Sequence, residues 1–131
     1  RALNVVVDSS GWVEFFVDGP NAEWFARAIQ DASELIVPSI CVFEVYRYVL
    51  RQRGRHDALQ AAATMRQGRV ADLDEGLAIE AAELGASLRL PLADSVIYAT
   101  ALAAGAELWT QDADFEGLES VKFRAKRNAS S

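Results

Sequence analysis

The fold of this chain is decided by the stretch Leu90-Pro91-Leu92-Ala93-Asp94-Ser95-Val96-Ile97-Tyr98-Ala99-Thr100-Ala101-Leu102-Ala103-Ala104-Gly105. Pro91 is favoured at the start of a helix, and Gly105 is typical of a helix end, where the backbone turns left-handed. The residues between them are apolar or small on nearly every side, which predicts a short helix buried among other elements. Asp94 falls in the first turn of this helix, where a carboxylate could simply complement the free N–H groups.

Short strands alternate with helices along the rest of the chain. The predicted strands lie at 3–7, 35–37, 70–73, 107–110 and 121–123. The other predicted helices lie at 12–17, 22–32, 40–52, 57–66 and 75–88, with Asn21 and Ser39 capping the second and third of these. The alternation predicts an α/β fold, a three-layer sandwich with a central, mainly parallel sheet flanked by helices. Ligands of such sheets bind beyond the carboxyl ends of the strands.

Length and composition indicate one folded domain over residues 1–131, with 51% hydrophobic residues. No apolar run approaches the roughly 18 residues of a membrane span, so we expect no membrane association. A single cysteine, Cys41, excludes an internal disulfide and fits a reducing, cytoplasmic setting. We expect the end of the chain, about 125–131, to be flexible or derived from a tag.

The net charge of −6 argues against a strongly basic nucleic-acid binder. The basic residues are nevertheless grouped, so local patches could contact a nucleic acid although the whole chain is acidic. The alternative is that both groups of basic residues are ordinary solvent-exposed surfaces that bind no nucleic acid. The first group is Arg47, Arg51, Arg53 and Arg55, and the second is Lys122, Arg124, Lys126 and Arg127.

Four carboxylates are predicted to meet at one edge of the sheet, where strands end and helices begin: Asp8, Glu44, Asp94 and Asp112. Gathered there without a cation, they would repel each other and cost roughly 2 kcal/mol or more apiece to desolvate. A hard divalent cation such as Mg²⁺ or Mn²⁺ takes oxygen ligands of this kind.

Local explanations remain open for each acid. Asp8 could cap the turn at Ser9 and Ser10, and Glu44 could pair with Arg47 one helical turn away. Asp112 and Asp114 could form an Asx turn.

Four motifs in this order resemble those of the PIN-domain ribonucleases, and the resemblance extends from Val5 to Phe123. The compact length and the Leu-Pro-Leu-Ala-Asp helix start resemble in particular the VapC-type toxins of toxin–antitoxin pairs. The motifs are Val7-Asp8-Ser9-Ser10, Pro38-Ser39-Ile40 through Glu44, Leu90-Pro91-Leu92-Ala93-Asp94, and Thr110-Gln111-Asp112-Ala113-Asp114-Phe115.

The resemblance implies a site in which Mg²⁺ or Mn²⁺ is held by the catalytic acids Asp8, Glu44, Asp94 and Asp112. Ser10 and Thr110 would supply hydroxyl groups beside these ligands. Asp114 would lie next to the ligands without contacting the metal itself. Ser9 departs from the family pattern, in which Thr is common after the first Asp, but it retains the hydroxyl.

The resemblance also implies an endoribonuclease that hydrolyses RNA with a metal-activated water. Arg47 and Arg51 are candidate RNA contacts, while His56 is predicted at the surface and Cys41 in the core. The implied partners are a cognate VapB-type antitoxin and a second copy of the chain, in a homodimer or a larger toxin–antitoxin assembly. Two alternatives are another Mg²⁺-dependent phosphoryl hydrolase on a similar sheet and a catalytically silent PIN-like module that binds RNA or protein.

Overall fold

The computed structural model describes residues 3–127. It contains five strands, β1 (Asn4–Val7), β2 (Glu34–Pro38), β3 (Arg69–Ala71), β4 (Glu107–Thr110) and β5 (Val121–Phe123). The six α-helices are α1 (Ser9–Phe16), α2 (Ala22–Asp31), α3 (Ser39–Arg53), α4 (Arg55–Met65), α5 (Glu75–Leu88) and α6 (Leu92–Ala103). A 3₁₀ turn follows β4 at Ala113–Phe115. The expectation of a flexible or tag-derived end at about 125–131 falls partly outside the described residues, at 128–131.

All five strands pair in parallel, in the order β3-β2-β1-β4-β5. The predicted α/β sandwich with helices flanking a parallel sheet is therefore confirmed. Strand β1 lies at the centre, with Val6 opposite Ile36 of β2 and Leu108 of β4. These three side chains are fully buried, because strands covered by helices on both faces are apolar throughout.

The helix that decides the fold forms as predicted. Pro91 occupies the N-cap position of α6, and Gly105 follows its end with a φ of +61°. Seven consecutive residues of α6, from Ser95 to Ala101, are buried. Its first turn opens at the carboxyl edge of the sheet, because β4 runs parallel to β1 and α6 precedes β4.

Two predicted helix caps are wrong. Ser39 is the first residue of α3, and Pro38 takes the cap position without a side-chain hydrogen bond. Asn21 does stand at the cap position of α2, but its side chain makes no capping bond. The amide of Asn21 instead donates to Gln111 and to the backbone of Ala125, which are distant in sequence. A long-range contact thus replaces the local one that the sequence suggests.

Among residues 3–127, no helix is both long enough and apolar enough to cross a membrane.

Gly11 is predicted to be irreplaceable because α1 packs closely on its neighbours there. A Cβ at this position would lie 2.5 Å from a ring carbon of Phe25 and 2.7 Å from a methyl of Val7, both in the core. Gly11→Ala should therefore lower the free energy of unfolding by about 1–3 kcal/mol, the usual cost of overpacking. Urea denaturation measures this, with Gly76→Ala as the control, since a Cβ on Gly76 meets nothing closer than 3.7 Å. Equal effects of the two substitutions would contradict the packing argument.

Candidate active site

The predicted acids all lie at or near the carboxyl edge of the sheet. Asp8 directly follows β1, and Asp112 comes two residues after the end of neighbouring β4. Glu44 lies in α3, which leaves the end of β2, and Asp94 lies in the first turn of α6. The parallel topology accounts for this, because it brings successive strand ends and helix starts to one side.

Asp8 is the most buried and most firmly held of these acids. Its side chain is 3% exposed. One carboxylate oxygen accepts from the backbone N–H of Gly11 at 2.9 Å, so Asp8 does cap α1. The other accepts from the hydroxyl of Thr110 at 2.8 Å, and the Ser10 hydroxyl lies within 3.1 Å of both oxygens. Donors from β4 and from α1 thus fix this carboxylate in one orientation.

Burial raises the pKa of the Asp8 carboxyl from 3.8 to about 6. The hydrogen bonds from Thr110, Gly11 and Ser10 oppose the rise, because they favour the charged form, and the charge of Asp112 adds to it. The hydrogen bonds therefore hold the carboxylate in one orientation, although burial makes its charged form unfavourable.

Thr110 joins the first and last acids of the site. Its hydroxyl donates to Asp8 and accepts from the backbone N–H of Asp112 at 2.9 Å. Thr110 is fully buried at the end of β4, and its bond to Asp8 is buried as well. The hydroxyl therefore lies between Asp8 and Asp112, two of the predicted ligands.

We expect Thr110→Val, which keeps the shape of the side chain, to weaken metal-dependent activity about 10- to 100-fold, as for other groups that orient metal ligands. The pKa of Asp8 should also rise, since the Val side chain cannot donate to it. A metal titration of activity at several pH values measures both effects. Thr64→Val is the control, because the Thr64 hydroxyl donates to the backbone carbonyl of Gln60 in its own helix, away from the acids. Wild-type behaviour of Thr110→Val would refute this role.

Glu44 is oriented by Ser9. The Ser9 hydroxyl donates to one Glu44 oxygen at 2.6 Å and so connects α1 to α3. The alternative in which Glu44 pairs with Arg47 is wrong, since within residues 3–127 the two form no ion pair. The guanidinium of Arg47 lies instead over the ring of Phe43, 5.4 Å from its centre.

Asp94, Asp112 and Asp114 form a tight carboxylate cluster. One oxygen of each lies within 4.8 Å of the others. The backbone N–H of Asp114 donates to Asp112 at 2.9 Å, so the predicted Asx turn is present as well. Asp114 is predicted from the sequence to lie just outside the metal ligands. The turn brings it nearer, beside Asp94 and Asp112, although Asp114 is exposed.

Burial and the neighbouring carboxylates both act on the pKa of Asp94. The pKa of the Asp94 carboxyl is raised from 3.8 to about 7, chiefly by burial, and the charges of four neighbouring carboxylates contribute to this rise. They are, in decreasing order of effect, Asp112, Asp114, Asp8 and Glu44. Each of the other four acids therefore lies close enough to Asp94 for its charge to act on it.

A divalent cation fits this set of side chains. In the described part of the chain, no basic side chain forms an ion pair with any of the five acids, so no positive charge there offsets their repulsion. The donors are all carboxylate oxygens, which suit Mg²⁺ and Mn²⁺ and not the softer metals that prefer nitrogen or sulfur. Asp94, Asp112 and Asp114 are spaced so that one ion could contact all three.

The remaining candidates lie outside the acidic cluster. Arg47 and Arg51 are exposed on α3, the helix that carries Glu44. His56 is exposed and Cys41 is buried, as predicted. Burial raises the pKa of the Cys41 thiol, so it stays protonated and is unsuited to act as a nucleophile.

Sequence reasoning missed three polar residues around the site. Ser9 orients Glu44, a role that its place in the sequence beside Asp8 does not indicate. Asn21 and Gln111 are buried and bonded to each other across 90 positions of sequence. The adjacency of Gln111 to Thr110 and Asp112 was the one local signal of its importance.

The PIN domain family model matches residues 5–120. The chain belongs to the PIN domain family. No curated protein matches the chain by sequence, so the family assignment rests on the family model. The match spans all the acids described above.

Several solved structures share the fold of this chain at low sequence identity. A toxin–antitoxin complex from Klebsiella pneumoniae is 19% identical, with a TM-score of 0.79, over 94% of this chain and 99% of that chain. VapC20 of Mycobacterium tuberculosis, a toxin that cleaves the sarcin–ricin loop, is 18% identical, with a TM-score of 0.72, over 88% of this chain and 95% of that chain. DNA-bound VapBC from Salmonella typhimurium is 18% identical, with a TM-score of 0.71, over 94% and 98%.

Proposed function

We propose that this PIN domain is a Mg²⁺- or Mn²⁺-dependent endoribonuclease and the toxin of a type II toxin–antitoxin pair. The observation that carries the proposal is the meeting of five carboxylates, without a basic partner among residues 3–127, at the carboxyl edge of a parallel sheet. The similar structures support it: one of them is a toxin that cleaves the sarcin–ricin loop, one is a toxin–antitoxin complex and one is DNA-bound VapBC.

Asp8, Glu44, Asp94 and Asp112 would hold the metal ion. A bound Mg²⁺ or Mn²⁺ would lower the pKa of a water molecule and orient it towards a phosphodiester. The protein contributes the arrangement of its oxygens: Asp8 is fixed by donors from two elements, and Glu44 is fixed by Ser9. Because these ligands are already ordered, no free energy is needed to order them during the reaction.

The RNA would be held mainly through its phosphates. Arg47 and Arg51 are exposed one helical turn apart on α3, and Arg47 is one turn from Glu44. We propose that they contact phosphates beside the scissile bond, in a single strand or a loop. The acidic site would repel these phosphates in the absence of metal, so binding and metal loading would be coupled.

As a toxin, the chain would be held inactive by a cognate VapB-type antitoxin. We propose that it acts as a homodimer, or in a larger assembly with the antitoxin.

The proposal is tested by incubating antitoxin-free protein with total cellular RNA in the presence of Mg²⁺ or Mn²⁺, beside a sample with EDTA. We expect cleavage at a small number of sites, lost on chelation and restored by excess metal. Tight RNA binding without cleavage would favour the catalytically silent module. Release of phosphate from small phosphate esters, with RNA left intact, would favour the other phosphoryl hydrolase.

A further inference from the structure

A buried polar cluster lies beside the acidic site and uses none of its acids. Its centre is Asn21, which is 1% exposed. The Asn21 amide nitrogen donates to the side-chain oxygen of Gln111 at 3.0 Å and to the carbonyl of Ala125 at 3.1 Å. Its backbone N–H donates to the buried carboxylate of Glu14 at 2.7 Å. Three segments distant in sequence are therefore joined at one side chain.

Gln111 connects this cluster to the acids. It lies between Thr110, which donates to Asp8, and Asp112, and it is 6% exposed. Its amide nitrogen is 3.5 Å from the carbonyl of Ser10, the residue whose hydroxyl contacts Asp8. The Gln111 side chain thus contacts the first turn of α1, which Asp8 caps, and Gln111 itself belongs to the segment that carries Asp112.

The end of the described chain reinforces the same contacts. The backbone N–H of Arg124 donates to the carbonyl of Thr110 at 3.0 Å. The guanidinium of Arg127 donates to the carbonyl of Pro20, next to Asn21, also at 3.0 Å. Residues 124–127 therefore lie along both the turn that precedes α2 and the end of β4.

The composition of the cluster favours positioning over packing. Apolar side chains would fill the same space without desolvating two amides, and the side-chain oxygen of Asn21 is buried without a hydrogen-bond partner among residues 3–127. Directional hydrogen bonds can fix one arrangement of a loop, which apolar contacts do less well. The loop fixed here is the one that carries Asp112 and Asp114.

We propose that Asn21 is a positioning residue: acting through Gln111, it holds the loop after β4 so that Asp112 meets Asp8 and Asp94. The inference rests on the proposed function, since it takes these acids as ligands of a metal ion. Its consequence is that metal affinity depends on a residue with no contact to the metal.

The test compares Asn21→Leu, Gln111→Leu and the double variant with the wild type by calorimetric titration with Mn²⁺ and by thermal unfolding. We expect each single variant to bind Mn²⁺ about 10- to 100-fold more weakly. The double variant should be no weaker than the worse single one, because both remove the same contact. Asn4→Leu is the matched control: the Asn4 amide donates to the carbonyl of Ala104, away from the acids, and its loss should leave Mn²⁺ affinity unchanged.

A lower unfolding temperature with wild-type Mn²⁺ affinity in both single variants would overturn the inference and make the cluster merely structural. If Asn21→Leu does not fold, Gln111→Leu decides by the same criterion. If the wild type itself binds no Mn²⁺, the proposed function fails, and hydrogen exchange of the amides at 112–115 then tests positioning alone. Faster exchange there in Asn21→Leu than in Asn4→Leu would support it, and equal exchange would overturn it.

Discussion

Asp94→Asn is expected to abolish metal-dependent RNA cleavage while leaving the chain folded. Asp94 lies in the first turn of α6, and its carboxylate faces four others. An amide of the same shape keeps the helix but removes one charged oxygen ligand. The loss should exceed about 100-fold, since even groups that only orient metal ligands contribute about 10- to 100-fold.

The measurement is the initial rate of RNA cleavage at saturating Mg²⁺, with circular dichroism to confirm the fold. Asp72→Asn is a control that makes the same chemical change at an acid that directly follows β3 and is exposed at the edge of the sheet. It should cleave like the wild type. Persistent cleavage by Asp94→Asn would point to a contaminating nuclease or to a different site.

The metal-free chain is expected to lose stability as the pH rises from about 4 to about 7. Burial raises the pKa of Asp8 to about 6 and that of Asp94 to about 7, both from 3.8. The folded state therefore holds these protons more tightly than the unfolded state, which favours folding at low pH and is lost as pH passes through the folded pKa values. For buried Asp8 alone the change is roughly 3 kcal/mol.

Other carboxylates also titrate in this range, so the comparison must isolate one group. The free energies of unfolding of the wild type and Asp94→Asn are measured by urea denaturation without metal. Between pH 4 and pH 7.5, the variant should become more stable relative to the wild type. At pH 7.5, saturating Mg²⁺ should make the wild type more stable than Asp94→Asn, since a ligand at 100 times its Kd stabilises the folded state by about 2.7 kcal/mol. A difference independent of pH would show that the acids do not interact as described.

The architecture of this chain could be predicted from sequence because its signals are local. Pro91 and Gly105 delimit α6, and the uninterrupted apolar run at Val5–Val7 indicates a strand covered on both faces. Each of the acids Asp8 and Asp112 follows a strand, so a parallel topology was enough to predict that they share an edge. The placement of the site thus follows from element order.

The hydrogen bonds within the site could not be predicted in the same way, because they join residues far apart in the chain. Asn21 has the sequence signature of a helix cap, and its actual partner Gln111 is 90 positions away. Glu44 has Arg47 at a favourable helical spacing, yet its partner is Ser9 on another helix. Local spacing identifies which bonds are possible, and the tertiary arrangement decides which one forms.

The central claim is that Asp8, Glu44, Asp94 and Asp112 hold a divalent cation. The most direct measurement is a crystal structure of the chain soaked in Mn²⁺, with data collected at the manganese absorption edge. The account predicts an anomalous peak within coordination distance of these carboxylates, absent in crystals of Asp94→Asn. An active protein whose crystals bind manganese elsewhere, with these carboxylates unligated, would contradict it.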